Sequence, residues 1–198
     1  MNNITLKGII RNIQPSHKIN DIEYNKAEII VKRKDNKEDL INLRFKKFSN
    51  SYKENDDISL CGNIRSFSQQ LEGKNKVDIY VFTYFDEPQE EYDCNNYCEL
   101  DGRICKIDEL RVTQSGKHNI HFILANNIVK DNNQKLNSYI PCIAWGKTAK
   151  QIAELSVNTQ LKIVGELHSR EYKKKIANDE IEIHVAHELL ITEFEVIE

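Results

Sequence analysis

At 198 residues the chain has room for one large domain or two of about 100 residues each. A hydrophobic content of 39% can fill a core, while 30% charged residues, three prolines and only seven glycines exclude collagen-like, linker-like and membrane-spanning classes. The net charge of −3, from 28 Lys plus Arg against 31 Asp plus Glu, argues on its own against a basic nucleic-acid binder.

Period-two alternation dominates and predicts an all-β chain. In the first half, strand-like runs cover 4–13, 24–34, 39–45, 58–67 and 77–85; the second half repeats the pattern at 97–107, 119–129, 138–145, 161–173 and 180–194. Helical periodicity is clear only over 148–155, where Ala149, Ile152, Ala153 and Leu155 share one face. The halves also rhyme: LKGIIR at 6–11 parallels LDGRIC at 100–105, and ISLCGNI at 58–64 parallels LKIVGEL at 161–167. A glycine therefore recurs inside the first and fourth strand of each half, where it marks a bend or a close backbone approach. Five strands with a short helix between the third and fourth suit an OB-type barrel. The expectation is two tandem OB-fold five-stranded barrels, at 1–85 and 97–198, joined by an acidic linker at 86–96 that holds DEPQEEYD.

Charge follows this division. Residues 1–85 hold 15 basic and 11 acidic side chains (net +4), 86–98 five acids and no base (−5), 99–175 13 and eight (+5), and 176–198 seven acids with no Lys or Arg (−7). Phosphate binding responds to local potential, so both positive bodies are candidates for a polyanion; charge alone fits solvated strand faces equally well. No apolar run approaches the roughly 18 residues of a spanning helix, and the first residues lack a basic region followed by an apolar core, so a cytoplasmic protein is expected. Five cysteines at irregular spacing (Cys61, Cys94, Cys98, Cys105, Cys142) argue against a disulfide framework and for a reducing compartment.

Strand parity separates core from surface. Ile140, Cys142 and Ala144 form the inner parity of one strand, leaving Tyr139, Pro141, Ile143 and Trp145 outside; Leu161, Ile163, Gly165 and Leu167 form that of the next, leaving Arg170 and Tyr172 on one outer face. Rings interleaved with cations are what a single nucleic-acid strand requires, because bases stack on the rings while cations track phosphates. Taken singly, Tyr139 and Trp145 serve equally well as caps on a barrel core. In the first half Ile41, Leu43 and Phe45 turn inward. The outer faces there offer Tyr24, Lys26, Lys32 and Lys34 on one strand, Arg65 and Phe67 on another, and a stripe of Tyr80, Phe82 and Tyr84 that suits bases or another subunit.

The second half resembles the bacterial single-stranded DNA-binding protein family. The resemblance is carried by LDGRI (100–104), LRVTQSGK (110–117), FILAN (122–126), YIPCIAWGKTA (139–149) and GELHSREY (165–172), five blocks in the family's order over 97–194. The first half resembles the family only weakly. What the resemblance implies is stacking of bases on Tyr139, Trp145 and Tyr172, supported by Arg103, Arg111 and Arg170. Lys117, Lys147 and Lys173 join them as candidate phosphate contacts, with Lys32, Lys34, Arg44, Arg65 and Phe67 as candidates in the first half. It also implies a homodimer, since two-domain members pair to give four barrels. Family members usually end in a flexible tail with an acidic tip, whereas the acids from Asp179 onward alternate with Ile181, Ile183, Val185, Leu189 and Ile191 and read as the outer face of a strand.

No phosphate loop, nucleophile elbow or carboxylate pair marks an enzyme, and no cofactor is expected. Cys94, Cys98 and Cys105 are poorly spaced for zinc, and His184 and His187 fall on opposite strand faces, with His187 on the apolar parity as a core histidine. Two functions follow as expectations. The first is coating and protection of single-stranded DNA in replication, recombination or repair, with RNA using the same rings. The second is a primosome-type adaptor that docks replication or repair proteins, favoured by the acidic edges and the Tyr80, Phe82 and Tyr84 stripe.

Overall fold

A computed structural model describes residues 1–47, 52–71, 74–83, 95–129, 135–175 and 181–197. The strands of the first half are β1 (Asn2–Ile19), β2 (Ile22–Lys32), β3 (Glu38–Lys46), β4 (Asp57–Leu71) and β5 (Lys74–Thr83). Those of the second are β6 (Asn96–Ile107), β7 (Arg111–Val112), β8 (His118–Val129), β9 (Lys135–Trp145), β10 (Gln160–Lys175) and β11 (Ile181–Ile197), with helix α1 (Gly146–Ala153) between β9 and β10. The chain is all-β, and no described helix is long and apolar enough to cross a membrane.

All eleven strands belong to one hydrogen-bonded sheet in the order β2-β3-β5-β4-β1-β6-β10-β11-β9-β8-β7, with β1 also pairing β2 and β6 also pairing β8. The first five strands thus return on themselves through β1-β2-β3-β5-β4, and the second half through β6-β8-β9-β11-β10. Only β3–β5 and β9–β11 are parallel. Each half follows the same path, as the internal repeat predicts.

Several boundaries moved for identifiable reasons. β1 runs on to Ile19 because Asn20 and Asp21, with φ of 46° and 64°, close a tight hairpin onto β2. The polar stretch around Pro15 hides this extension from a hydrophobic pattern. α1 begins at Gly146 and buries Ala149 and Ile152, whereas Ala153, placed on the same apolar face by periodicity, is exposed. The helix expected at this point of the first half falls partly on residues 48–51, outside the described residues; 52–56 hold a turn. Of the expected linker, 86–94 lie outside the described residues, as do Tyr84 and Cys94, and Asn96 is already the first residue of β6. The acidic C-terminal stretch is strand, as β11, but of its alternating apolar residues only Leu189 and Ile191 are buried, while Ile181, Ile183 and Val185 are exposed because the β10–β11 hairpin runs beyond the core.

Inward parity matches the alternation: Ile41, Leu43, Phe45, Ile140, Cys142, Ala144, Leu161, Ile163 and Leu167 are each at most 1% exposed. The repeated glycines mark close approaches. A Cβ at Gly8 or Gly165 would run into the backbone oxygen of Ile30 or Leu190, and at Gly62 or Gly102 it would lie 2.7 Å from Phe82 O or 2.8 Å from Ala125 O.

The halves join through a β1–β6 ladder running from Asn2–Leu100 to Leu6–Asn96. Its register makes the seam symmetric about Ile4–Cys98. At one end Asn2 donates from Nδ2 to Ile64 O and accepts from Ile64 N, both at 2.8 Å. At the other, Asn96 donates to Leu167 O at 2.8 Å and accepts from Leu167 N at 3.0 Å. Each amide, on the first residue of its strand, continues a ladder beyond its last backbone pair, Ile4–Gly62 in one half and Cys98–Gly165 in the other. A second symmetric pair flanks the first: Tyr139 N donates to Ser66 Oγ and Leu40 N to Ser169 Oγ, each at 2.8 Å. Among the described residues the Ser169 side carries further reinforcement. There Arg33 donates to the fully buried Asp39 and to Ser169 O, Ser169 N donates to Asp39 Oδ1, and His187 Nε2 lies 2.8 Å from Leu40 O. Burial holds the His187 imidazole below its ordinary pKa, and the hydrogen bonds that Arg33 donates to Asp39 raise that of Arg33. His187 is thus a core histidine at the seam.

Candidate nucleic-acid interface

Residues directly opposite each other in a sheet share a face, and this brings side chains from distant segments into rows across β8 and β9. One row runs Arg111–Asn119–Trp145 and another Arg103–Ala125–Tyr139. Tyr139 and Trp145 stand six residues apart on one face of β9, a span of about 20 Å at the usual strand rise. Both rings are open, at 47% and 41% exposure.

Trp145 owes its position to the turn that follows. It is the last extended residue before α1, with φ of −126° and ψ of 156°, and Gly146 turns the chain at φ of +59°. Opposite it, the β7–β8 turn closes through Thr113 N to Lys117 O at 2.8 Å and Gly116 N to Thr113 O at 2.9 Å, with Gly116 at φ of +78°. Between these two turns lies a cleft of about 570 Å³ lined by Gly116, Lys117, His118, Trp145, Gly146, Lys147 and Lys150. Among the described residues none of Arg111, Lys117, Lys147 and Lys150 makes an ion pair. Three lysine charges without carboxylates around an open indole form a site for an anion attached to a flat ring. Sequence reading missed Lys150 and His118. Lys150 was findable, since it stands one helical turn after Lys147 on the same face of α1.

Tyr172 is likewise open, at 41%, and stacks on His184 across the β10–β11 hairpin with centroids 5.6 Å apart and 25° between planes. Arg170 shares its face. Lys173 does not: its odd position turns it to the other side of the hairpin, opposite Ile183. β9 and β11 pair only at Cys142–Leu189 and Ile143–Leu190, so Tyr139 and Tyr172 lie toward one end of that contact and Trp145 toward the other. The outer face between them carries Glu166 and Glu188, beside His168 at 3.0 Å and His121 at 3.9 Å. Arg103 lies two strands from Tyr139, and its guanidinium donates to Asn158 O at 3.1 Å.

In the first half, Arg44, Arg65 and Phe67 come together, and Lys32 and Lys34 do not join them. The two lysines flank Arg33 at the β2–β3 turn, where Arg33 reaches Ser169 O across the seam. The expected stripe on β5 differs from the sequence picture. Tyr80 is half-buried with the Arg44 guanidinium 4.2 Å from its centroid, and Phe82 is 7% exposed with that of Arg65 at 3.9 Å. Cations from the neighbouring strands cover the rings that alternation alone would leave bare. Phe67, 42% exposed, lies 5.6 Å from Arg44, and Phe82 continues through Tyr24 at 6.3 Å to His17, stacked at 4.7 Å. Cys98 and Cys142 are buried and their thiols are pushed well up in pKa by desolvation, whereas Cys105 is exposed.

A family model described as the single-strand binding protein family matches residues 95–195. The wild-type single-stranded DNA binding protein from Thermus aquaticus superposes with a TM-score of 0.72 at 15% identity, covering 100% of this chain and 93% of that one. A variant of that protein with a deletion and one substitution gives 0.71 at 14% identity, covering 100% and 95%. At these identities the likeness is one of fold, and it extends over both halves. No curated protein matches the sequence.

Proposed function

We infer, from the fact that this chain belongs to the single-strand binding protein family, that it binds single-stranded DNA with little sequence preference and makes or breaks no covalent bond. Bases stack on Trp145, Tyr139 and Tyr172, while Arg111, Lys117, Lys147, Lys150 and Arg170 hold phosphates. The observation that carries this reading is the exposed Trp145 at the lip of a cleft ringed by three lysines without ion pairs, inside the matched segment. Each half is read as one OB-type barrel, with 1–85 and 97–198 as the two units. Two chains assemble to present four such units, and the protein protects exposed strands during replication, recombination or repair. The adaptor reading draws on the acidic edges and on the aromatic stripe of the first half, of which Tyr80 and Phe82 lie under guanidiniums.

Trp145 is the only tryptophan, so its fluorescence reports on the site directly. Oligothymidine is expected to quench it strongly, and Trp145→Ala to weaken binding by about 1–3 kcal/mol, or roughly five- to 150-fold. Unchanged affinity would refute the reading. Competition between DNA and RNA oligomers of matched sequence tests which strand is preferred.

A further inference from the structure

We propose that the cleft beside Trp145 receives the end of a strand, with the terminal base on the indole and its phosphomonoester held among Lys117, Lys147 and Lys150. This rests on the reading of the second half as a single-strand binder, and names what that one subsite takes.

The cleft stands at one end of the face that carries the open rings. β9 ends at Trp145 and α1 begins at the next residue, so a strand laid along β9 from Tyr139 meets the helix directly after the indole. On the opposite side the β7–β8 turn, with the first residue of β8, contributes Gly116, Lys117 and His118. A volume of about 570 Å³ between two such walls lies within the usual range of small-molecule sites, roughly 300–1,000 Å³. It suits one nucleotide rather than a run of them. Both walls are bare where the chain turns, since a Cβ at Gly116 or Gly146 would meet no atom within 4 Å.

Charge separates an end from the middle of a strand. Each row along the face brings one arginine, Arg103 in the row of Tyr139 and Arg111 in that of Trp145, and Arg170 shares the face of Tyr172. An internal phosphodiester carries a single negative charge, which one cation answers. The cleft instead gathers three lysines from two elements: Lys117 from the turn, and Lys147 and Lys150 from one face of α1. A phosphomonoester carries about −1.5 to −2 at pH 7 and presents three acceptor oxygens. Three ammonium groups therefore exceed what an internal phosphate neutralises and come close to what a strand end carries. Compact, rotatable ammonium groups also meet a tetrahedral phosphate from several sides, whereas the flat fork of arginine engages two oxygens at once. The open indole at the lip supplies the stacking surface for the one base attached.

The test uses the full chain with short oligothymidines of one length that carry a 5′-phosphate, a 3′-phosphate or hydroxyls at both ends. A hydroxyl-ended oligomer one nucleotide longer matches the number of phosphate groups. Trp145 fluorescence reads the binding. Phosphate on one of the two ends is expected to tighten binding about tenfold over both hydroxyl-ended strands, and the end that does so fixes the polarity of the strand. Lys147→Gln with Lys150→Gln should bring that ratio of affinities to about one, each single variant lowering it part-way, while Lys147→Arg with Lys150→Arg should keep most of it. Urea denaturation separates loss of contact from loss of fold, and the single variants stand in if the double variant does not fold. Equal affinity for all of these oligomers, with Trp145 still quenched, overturns the strand-end site and leaves the stacking reading standing. No quenching by short or long oligothymidine overturns the stacking reading itself, and this site with it. A preference for phosphorylated ends that survives both Gln substitutions places the end elsewhere and overturns the assignment to the cleft. Thymidine monophosphate binding as tightly as the phosphorylated oligomers would make this a pocket for free nucleotide and equally overturn the proposal.

Discussion

Replacing Asn96 with Ala probes the seam that holds the two halves in one sheet. The side chain is 6% exposed and serves both the N–H and the C=O of Leu167, beyond the last backbone pair of the β6–β10 ladder at Cys98–Gly165. Truncation leaves two backbone groups without partners, each costing about 1–3 kcal/mol when buried, so a loss of about 2–6 kcal/mol is expected. Urea denaturation followed by circular dichroism measures it, with an unchanged slope showing that the unfolded state is unaffected. Asn96→Asp retains an acceptor for Leu167 N–H but sets a carboxylate against Leu167 O, so it should recover none of the loss. Asn2, at the symmetric position, has the same two partners on Ile64 and a third in Asn126 Oδ1 at 2.8 Å. Asn2→Ala should therefore cost at least as much. A change below about 0.5 kcal/mol for Asn96→Ala, the range of ordinary surface substitutions, would refute the claim that these amides pin the seam.

Two further outcomes follow from the same packing. Gly165→Ala forces a Cβ into the backbone oxygen of Leu190 and should destabilise by about 1–3 kcal/mol or more, exceeding Gly116→Ala, which meets no atom within 4 Å and carries only the strain of φ at +78°; comparing their denaturation midpoints checks the order. Burial lowers the pKa of His187 from its ordinary 6.5, so the unfolded chain takes up a proton at higher pH than the folded one. Stability contributed by the neutral imidazole is complete above about pH 6.5 and is lost as pH falls toward the lower folded value. His187→Gln should flatten that acid limb, and an identical pH profile for the variant would show that another group sets it.

Local patterns in the chain already specify much of this molecule. Period-two alternation marks the inner parity of β3, β9 and β10, because a strand with one buried face must alternate. The glycine pairs Gly8 with Gly102 and Gly62 with Gly165 announce close backbone approaches and a repeated path, since only a residue without a side chain fits there. The outward rings Tyr139, Trp145 and Tyr172 follow from parity alone. What parity does not encode is which neighbour lies across the sheet. Tyr80 and Phe82 look bare in the sequence and are covered, because Arg44 and Arg65 arrive from strands 36 and 17 residues away through pairings that the sequence pattern does not reveal. Lys173 looks like a partner of Tyr172 and faces away from it, and Lys150 joins Trp145 only because α1 folds back beside the β7–β8 turn. The seam through Asn2 and Asn96 likewise exists only in three dimensions, where two polar residues at strand starts become the ends of ladders belonging to other strands. Side-chain direction is a local property of an extended backbone, whereas the company a side chain keeps is set by long-range pairing and by the packing that pairing permits.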